Sequence, residues 1–411
     1  MTLRSRSRAV TAKKRAQDPH ETGRSARNNE RGEGRSKMEE VTMKDKAFLN
    51  DLAREGAIAF KSGRLDRRSF LMLCGLAGVA TLAVKAGDAE AAANEIVMWN
   101  WGGESEKCHG DAIGKPFTAA TGLPLKFDTS GPLQGKIKEM VDSGKVTADV
   151  CDADGFDAIA LGKSGHLEAI DYNIVNKAQI KEGSAWEFGV GVIFYGYAFM
   201  YDTKAFGDNP PKGWADFYDT AKFPGKRSLY KWANGSIESA LVADGVPKEK
   251  VYPCDVPRAI VKIKTIKGDS LYWGSGSEAH DMIVNGEVAM GMIWQNRGKT
   301  IEERTNGRYK MVMNEAIAMP GAYIVPRGNP AGRDNVMKFI QQALQVDSQL
   351  MILDCLGMTP SNPEAFAKIP EAMQPYAVNS AQNIDKVIFN DPVWWADNGG
   401  DAVNAFLEAI G

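Results

Sequence analysis

Histidine is scarce in this chain of 411 residues: there are four, His20, His109, His166 and His280. So few imidazoles, widely scattered, give little purchase for acid–base catalysis. Cysteine is scarce too, with five residues and no Cys-x-x-Cys spacing, and no His-x-x-x-His pair exists. The ligand pattern of a zinc site is therefore missing, and no metal is expected. Also absent are the Gly-x-x-x-x-Gly-Lys phosphate loop, the Gly-x-Ser-x-Gly elbow and the His-Glu-x-x-His helix. These absences point away from nucleotide hydrolysis, serine hydrolysis and metalloproteolysis, and no cofactor is expected. The longest apolar run, Leu71 to Val84, covers about 14 residues, short of the ~20 a helix needs to span a bilayer.

What the chain does hold is apolar content, 44% hydrophobic against 25% charged, enough for a large core shared by two lobes. Residues 1–37 are nearly free of large apolar side chains, and the whole stretch 1–62 reads as a disordered extension. Asp66-Arg67-Arg68-Ser69-Phe70-Leu71-Met72 then leads into the apolar run, and Ala89-Glu90-Ala91-Ala92-Ala93 closes it. Paired arginines, a short apolar segment and a small-residue end are the layout of a twin-arginine export signal over 63–93, which places the mature protein in the periplasm. The whole chain holds 50 Lys+Arg and 52 Asp+Glu; residues 1–93 take 19 and 12 of them, leaving 31 and 40, a formal charge of −9 from Asn94 onward. An acidic mature protein argues against a nucleic-acid partner.

Cys74 falls inside the apolar run and would leave with it. Of the remaining four, Cys108 and Cys151 share an early segment and are expected to pair, with Cys254 and Cys355 as the second bridge, one of three connectivities.

From Glu95 the order is strand, helix, strand, helix. Val97, Trp99 and Trp101 alternate with Ile96, Met98 and Asn100 as a strand does, and Gly102-Gly103 ends it. Helix is expected over 106–121, strand over 125–128, helix near Leu133 to Val141, and strand over 148–154 running into Gly155-Phe156. Val190 to Tyr201 is a continuous apolar run that reads as a central strand crossing between lobes, and Ala318 to Val325 as the return crossing. The fold class is α/β, with lobe 1 over 94–200 and 318–365, lobe 2 over 201–317, and a C-terminal helical segment over 366–411 near the hinge.

One arrangement recurs: an aromatic ring beside a glycine turn at a strand end. It occurs at Trp101-Gly102-Gly103, Gly155-Phe156, Trp232 with Asn234-Gly235, Trp273-Gly274, and Trp294 before Arg297-Gly298. Ring faces attract ammonium groups, and carboxylates add the directional part. Asp152, Asp154, Glu104 and Glu238 lie near these turns, with Asp154 and Glu238 the acids for an amine. Arg227 and Arg297 are the cations for a carboxylate or phosphonate. Gly274-x-Gly276-x-x-Ala279, with Ser277 inside it, reads either as a helix N-terminus offering N–H groups to a polar ligand or as a capped helix.

Trp99-Asn100-Trp101-Gly102-Gly103, Phe223 to Arg227, Glu238 to Val246, Tyr272 to Gly276, Gly286 to Gly291, Trp294 to Arg297 and Trp394 to Asp397 together resemble the spermidine/putrescine-type substrate-binding proteins of bacterial ABC transporters. The resemblance implies the two-lobed periplasmic-binding-protein fold (type II) with two interlobe crossings, a monomer that closes on one small ligand and hands it to a membrane permease. It also implies no catalysis, and places Trp101, Gly155-Phe156 and Trp294 on the cleft wall. Two positions depart from it: acids expected of polyamine binders are replaced by Gly103 and Gly321. The expected ligand is a polyamine or related amino compound, with an ω-amino acid, an aminophosphonate, Fe³⁺ or an anion as alternatives on the same fold. An iron site would want a tyrosine cluster, and no two tyrosines are adjacent in sequence. An exported hydrolase or lyase is the reading from another class.

Overall fold

The computed structural model describes residues 94–411; the expected extension and export signal lie outside the described residues. One mixed sheet organises them, with strands β1 (Ile96–Trp99), β2 (Leu125–Asp128), β3 (Val150–Asp154), β4 (Ala185–Trp186), β5 (Gly189–Asp202), β6 (Arg227–Tyr230), β7 (Ser270–Trp273), β8 (Met290–Trp294), β9 (Tyr309–Ile324), β10 (Thr359–Pro360) and β11 (Ile388–Phe389). Its main order is β2-β1-β3-β9-β5-β8-β6-β7. β2, β1 and β3 run parallel to one another, as do β8, β6 and β7. Between these two wings lie the antiparallel strands β5 and β9, of 14 and 16 residues. Strands this long can belong to both wings at once, and each wing buries its own apolar cluster.

The local reasons are legible. β5 is buried on both faces, as a continuous apolar run demands. The N–H of Asp154 donates to Asp157 Oδ2 at 2.9 Å, starting helix Gly155–Lys163 at the end of β3. Ser275 and Glu278 form a capping box that starts helix Gly276–Val284 at the end of β7. In both wings, parallel strands therefore deliver helix N-termini toward the crossing strands.

Two expectations are corrected. The disulfide is Cys108–Cys355, with Cα atoms 6.1 Å apart, while Cys151 and Cys254 are free. Cys108 sits on helix Glu104–His109, which packs on helix Val346–Leu356, the carrier of Cys355. Strand alternation turns Cys151 to the opposite apolar cluster, so Cys108–Cys151 has no shared face. The return crossing begins at Tyr309 rather than Ala318, because the alternating Met311 and Met313 continue into the apolar run as one strand. Pro320 falls just past Asp154–Gly321, the last pair with β3, so no β3 ladder bond is lost to its missing N–H. The C-terminal helix spans Pro392–Ile410, started by Asp391, whose carboxylate accepts from the N–H groups of Val393 and Trp394. It packs on Gly155–Lys163 and on Val256–Lys264, touching helices from both wings.

Candidate functional site

Where β3 ends beside β9 and β5, Asp154 stands half-buried. Its Oδ1 accepts from the Tyr195 hydroxyl at 3.0 Å. Gln134 Nε2 donates to Asp157 Oδ1 at 2.7 Å, fixing the second carboxylate. Burial pushes the Asp154 carboxyl well above its ordinary range, and the neighbouring Asp157 adds to the shift; burial also lifts Asp157, to about 6. Nearby Asp152, almost fully buried, is raised by burial as well. A cation at this corner would favour the ionised form of Asp154.

Tyr195 and Tyr197 share one face of β5 and begin a chain of rings. Tyr197 stacks on Tyr230 (centroids 6.0 Å apart, 24° between planes), and Tyr230 stacks on Trp273 (4.5 Å, 24°). Trp294 meets Tyr230 and Trp273 edge-on at 5.5 and 5.3 Å. Phe156, at the start of the helix after β3, packs against the same cluster. Through Tyr195, Asp154 thus stands at one end of this chain of rings.

On the far side, Arg297 follows Trp294 through a short 3-10 turn. Gln295 anchors that turn: its side chain accepts from Gly196 N at 2.6 Å and donates to Gly357 O at 3.2 Å. Arg297 lies over the helix start at Gly276, where a Cβ would come within 2.6 Å of its Nε and 2.7 Å of the Trp294 ring. Burial lowers the Arg297 pKa, opposed by the charges of Glu104 and Asp281. Arg297 Nε, Asn234 Nδ2 and Ser236 Oγ are all buried without a protein partner. This wing offers donors where the β1–β3 wing offers acids.

The other expected site residues fall into two groups. Trp101 is 58% exposed at the rim; its Nε1 donates to Asp152 O at 3.0 Å, and its ring lies against Gly131. Gly102 and Gly103 turn the chain there with φ of +71° and +64°. Gly155 has its ring neighbour in Trp186, 2.6 Å from where a Cβ would stand. Trp232 is 43% exposed, and Ser277 is exposed on the helix start.

Arg227 and Glu238 are instead consumed by the core. The Arg227 guanidinium, fully buried, donates to the carbonyls of Phe217 (2.8 Å), Gly225 (2.6 Å) and Phe223 (2.5 Å). Glu238, also fully buried, accepts from Tyr252 Oη (2.5 Å), Trp395 Nε1 (2.8 Å) and Gly235 N (2.8 Å). Trp273 is buried in the ring stack rather than open to a cleft. The junction residues that sequence reasoning did not single out are Tyr195, Tyr197, Tyr230 and Ser236, while Asn234 entered only as part of a glycine turn. The available signal is Tyr195-Gly196-Tyr197, two phenols on one face in the middle of a crossing strand.

Two parallel-stranded wings joined by two long crossing strands, with polar and aromatic groups gathered at the junction, define the two-lobed architecture of periplasmic binding proteins. The family model for the bacterial extracellular solute-binding protein matches residues 112–379, and the chain belongs to that family. It is 27% identical over 324 residues to the gamma-aminobutyric acid-binding protein of Pseudomonas aeruginosa, covering 77% of this chain and 91% of that one. A GABA receptor of known structure superposes with a TM-score of 0.72 at 30% identity, covering 77% and 98% of the two chains. The binding protein MotA of A. tumefaciens B6, in complex with glucopine, superposes at 0.70 with 28% identity, covering 77% and 100%. Such proteins bind solutes rather than transform them. Among the described residues no helix is long and apolar enough to cross a membrane.

Proposed function

We propose that this solute-binding protein is the periplasmic receptor of an ABC importer and that its ligand is a small zwitterion of the ω-amino acid type, held between lobes 94–200 with 318–365 and 201–317. Export by the twin-arginine route through residues 63–93 belongs to the same reading. The observation that carries it is the opposed polarity of the junction: Asp154 with Asp152 on one wall, and unpartnered donors with Arg297 on the other. The amine meets Asp154 and the ring faces of Tyr195 and Phe156, Trp294 packs on the methylenes, and the acidic end turns toward Arg297. Trp101 stands at the rim, where closure would bring it over the ligand.

A polyamine would set its second ammonium beside the Arg297 guanidinium and leave the amide N–H of Asn234 without an acceptor. The two polyamine positions also resist an acid: Gly103 has φ +64°, and at Gly321 a Cβ would come within 2.9 Å of Ile193. Iron gains a tyrosine cluster that the sequence did not show, yet burial raises the pKa of Tyr195, Tyr197 and Tyr230, which disfavours phenolate ligands. The GABA recognition in the names of two relatives supports the amino-acid reading. Calorimetric titration of the ligand-free protein with GABA, 3-aminopropylphosphonate, putrescine and spermidine tests it. GABA or the phosphonate should bind most tightly; tighter binding of putrescine or spermidine overturns the reading.

A further inference from the structure

The loop between β6 and helix Ser236–Ala243 is short and well tied. Gly235 takes φ +78°, and its Cα lies so near Tyr197 that a Cβ would stand 2.6 Å from that ring. Its N–H is already committed to Glu238, whose Oε1 in turn accepts from Tyr252 and Trp395. The flanking residues are different. Asn234 is 2% exposed and Ser236 is fully buried, and neither Nδ2 of the first nor Oγ of the second has a protein partner. A buried donor without a partner is unfavourable, so two of them side by side are free to take up an acceptor. They stand at the start of an eight-residue helix, whose dipole favours an acceptor, and they flank Gly235, which lies against the Tyr197 ring that leads to Tyr230 and on to Trp294.

We infer that Asn234 and Ser236 form the subsite that recognises the carboxylate or phosphonate end of the ligand and so determine its specificity against plain amines. The inference rests on the zwitterion reading above. Both residues donate to an oxygen of the acidic end, while Arg297, on the same wing, balances its charge. A ligand that ends in a methyl or an ammonium group leaves these donors unmade. The discrimination therefore comes from hydrogen-bonding capacity more than from size.

The test compares wild type with Asn234→Ala and Ser236→Ala, measuring affinity for GABA by calorimetry, affinity for n-butylamine by competition and tryptophan fluorescence, and thermal midpoints without ligand. Each substitution should weaken GABA by roughly tenfold or more, because it removes a hydrogen bond to a charged acceptor. Butylamine affinity should stay unchanged, and the midpoint should hold or rise, since an unpartnered donor has been removed. Unchanged GABA affinity overturns the subsite and leaves the zwitterion reading standing. Equal loss for both ligands with a lowered midpoint also overturns it, by showing that the pair serves packing. A wild type that prefers butylamine or putrescine to GABA, or binds none of them, overturns the reading and the subsite together.

Discussion

Two sets of buried charge separate cleanly in this molecule. Arg227 and Glu238, inside the β6–β8 wing, have protein partners for their charged atoms, carbonyls for the one and three strong donors for the other. At the junction of the wings, Asp154 has a single phenol on its side chain and Arg297 leaves its Nε without a partner. Proximity to a glycine turn and an aromatic ring is common to both sets, so the motif does not distinguish them. Partner accounting does: a charge satisfied by its own fold is a structural post, and one left short is available to a ligand.

The sharpest way to break this comparison is Arg227→Met. Three well-placed carbonyls would lose their donor in a site without water access, at a cost of about 3–5 kcal/mol by analogy with broken buried pairs. Urea denaturation should show that loss, while whatever protein remains folded should bind ligand with wild-type affinity. Preserved stability with lost binding would move Arg227 to the other side of the comparison.

Asp154→Asn should do the reverse. Removing the carboxylate that meets the amine should weaken an ω-amino acid by roughly a hundredfold, the equivalent of ~2.7 kcal/mol. The unliganded protein should be no less stable at neutral pH, because a carboxylate held in an unfavourable site is gone. Calorimetry and thermal melts of the same preparation check both halves.

The pH dependence carries the same contrast in the wild type. Burial raises Asp154 and Asp157, so the folded state holds protons that the unfolded chain would release. Their favourable contribution is fully present below the ordinary carboxylate pKa of about 4 and is lost as pH rises through the raised values, with Asp157 near 6. The unliganded melting midpoint should therefore bear a falling term from pH 4 upward through that window. An amine-bearing ligand should stabilise progressively more over the same range. Asp154→Asn should reduce the unliganded trend to the part Asp157 carries and flatten the ligand's, and a ligand effect independent of pH would remove Asp154 from the amine subsite.

The sequence was most informative about backbone and least about side-chain bookkeeping. Strand β2 lies at its expected 125–128, and the crossing strand expected over 190–201 is β5, because period-two alternation and unbroken apolar runs are local signals. Junction residues such as Asp154, Phe156 and Trp294 were reachable through the glycine turns that follow strand ends. Arg227 and Glu238 carry the same local signature and were indistinguishable from them, since what consumes them comes from Phe217, Phe223, Tyr252 and Trp395, up to 157 residues away. The disulfide is not legible in sequence spacing for a related reason. Cys108 and Cys355 are 247 residues apart, and only helix packing brings them together. Tyr195 is hard to read from sequence because it sits in a buried run of apolar and aromatic residues, where a phenol aimed at Asp154 has the same signature as core.

The smallest expected effect belongs to the most conspicuous residue. Trp101 is 58% exposed, and its indole N–H is already used by the Asp152 carbonyl. Exposed ring contacts to a cation are worth about 0.5–1 kcal/mol, so Trp101→Ala should weaken an ω-amino acid only two- to fivefold. The loss should fall mainly on dissociation, because a rim residue acts after the amine has reached Asp154. Stopped-flow fluorescence on Trp101→Phe alongside Trp101→Ala can separate the two rates, with the phenylalanine restoring much of the retention. A hundredfold loss would mean that the rim, and not the paired walls of acid and donor, holds the ligand.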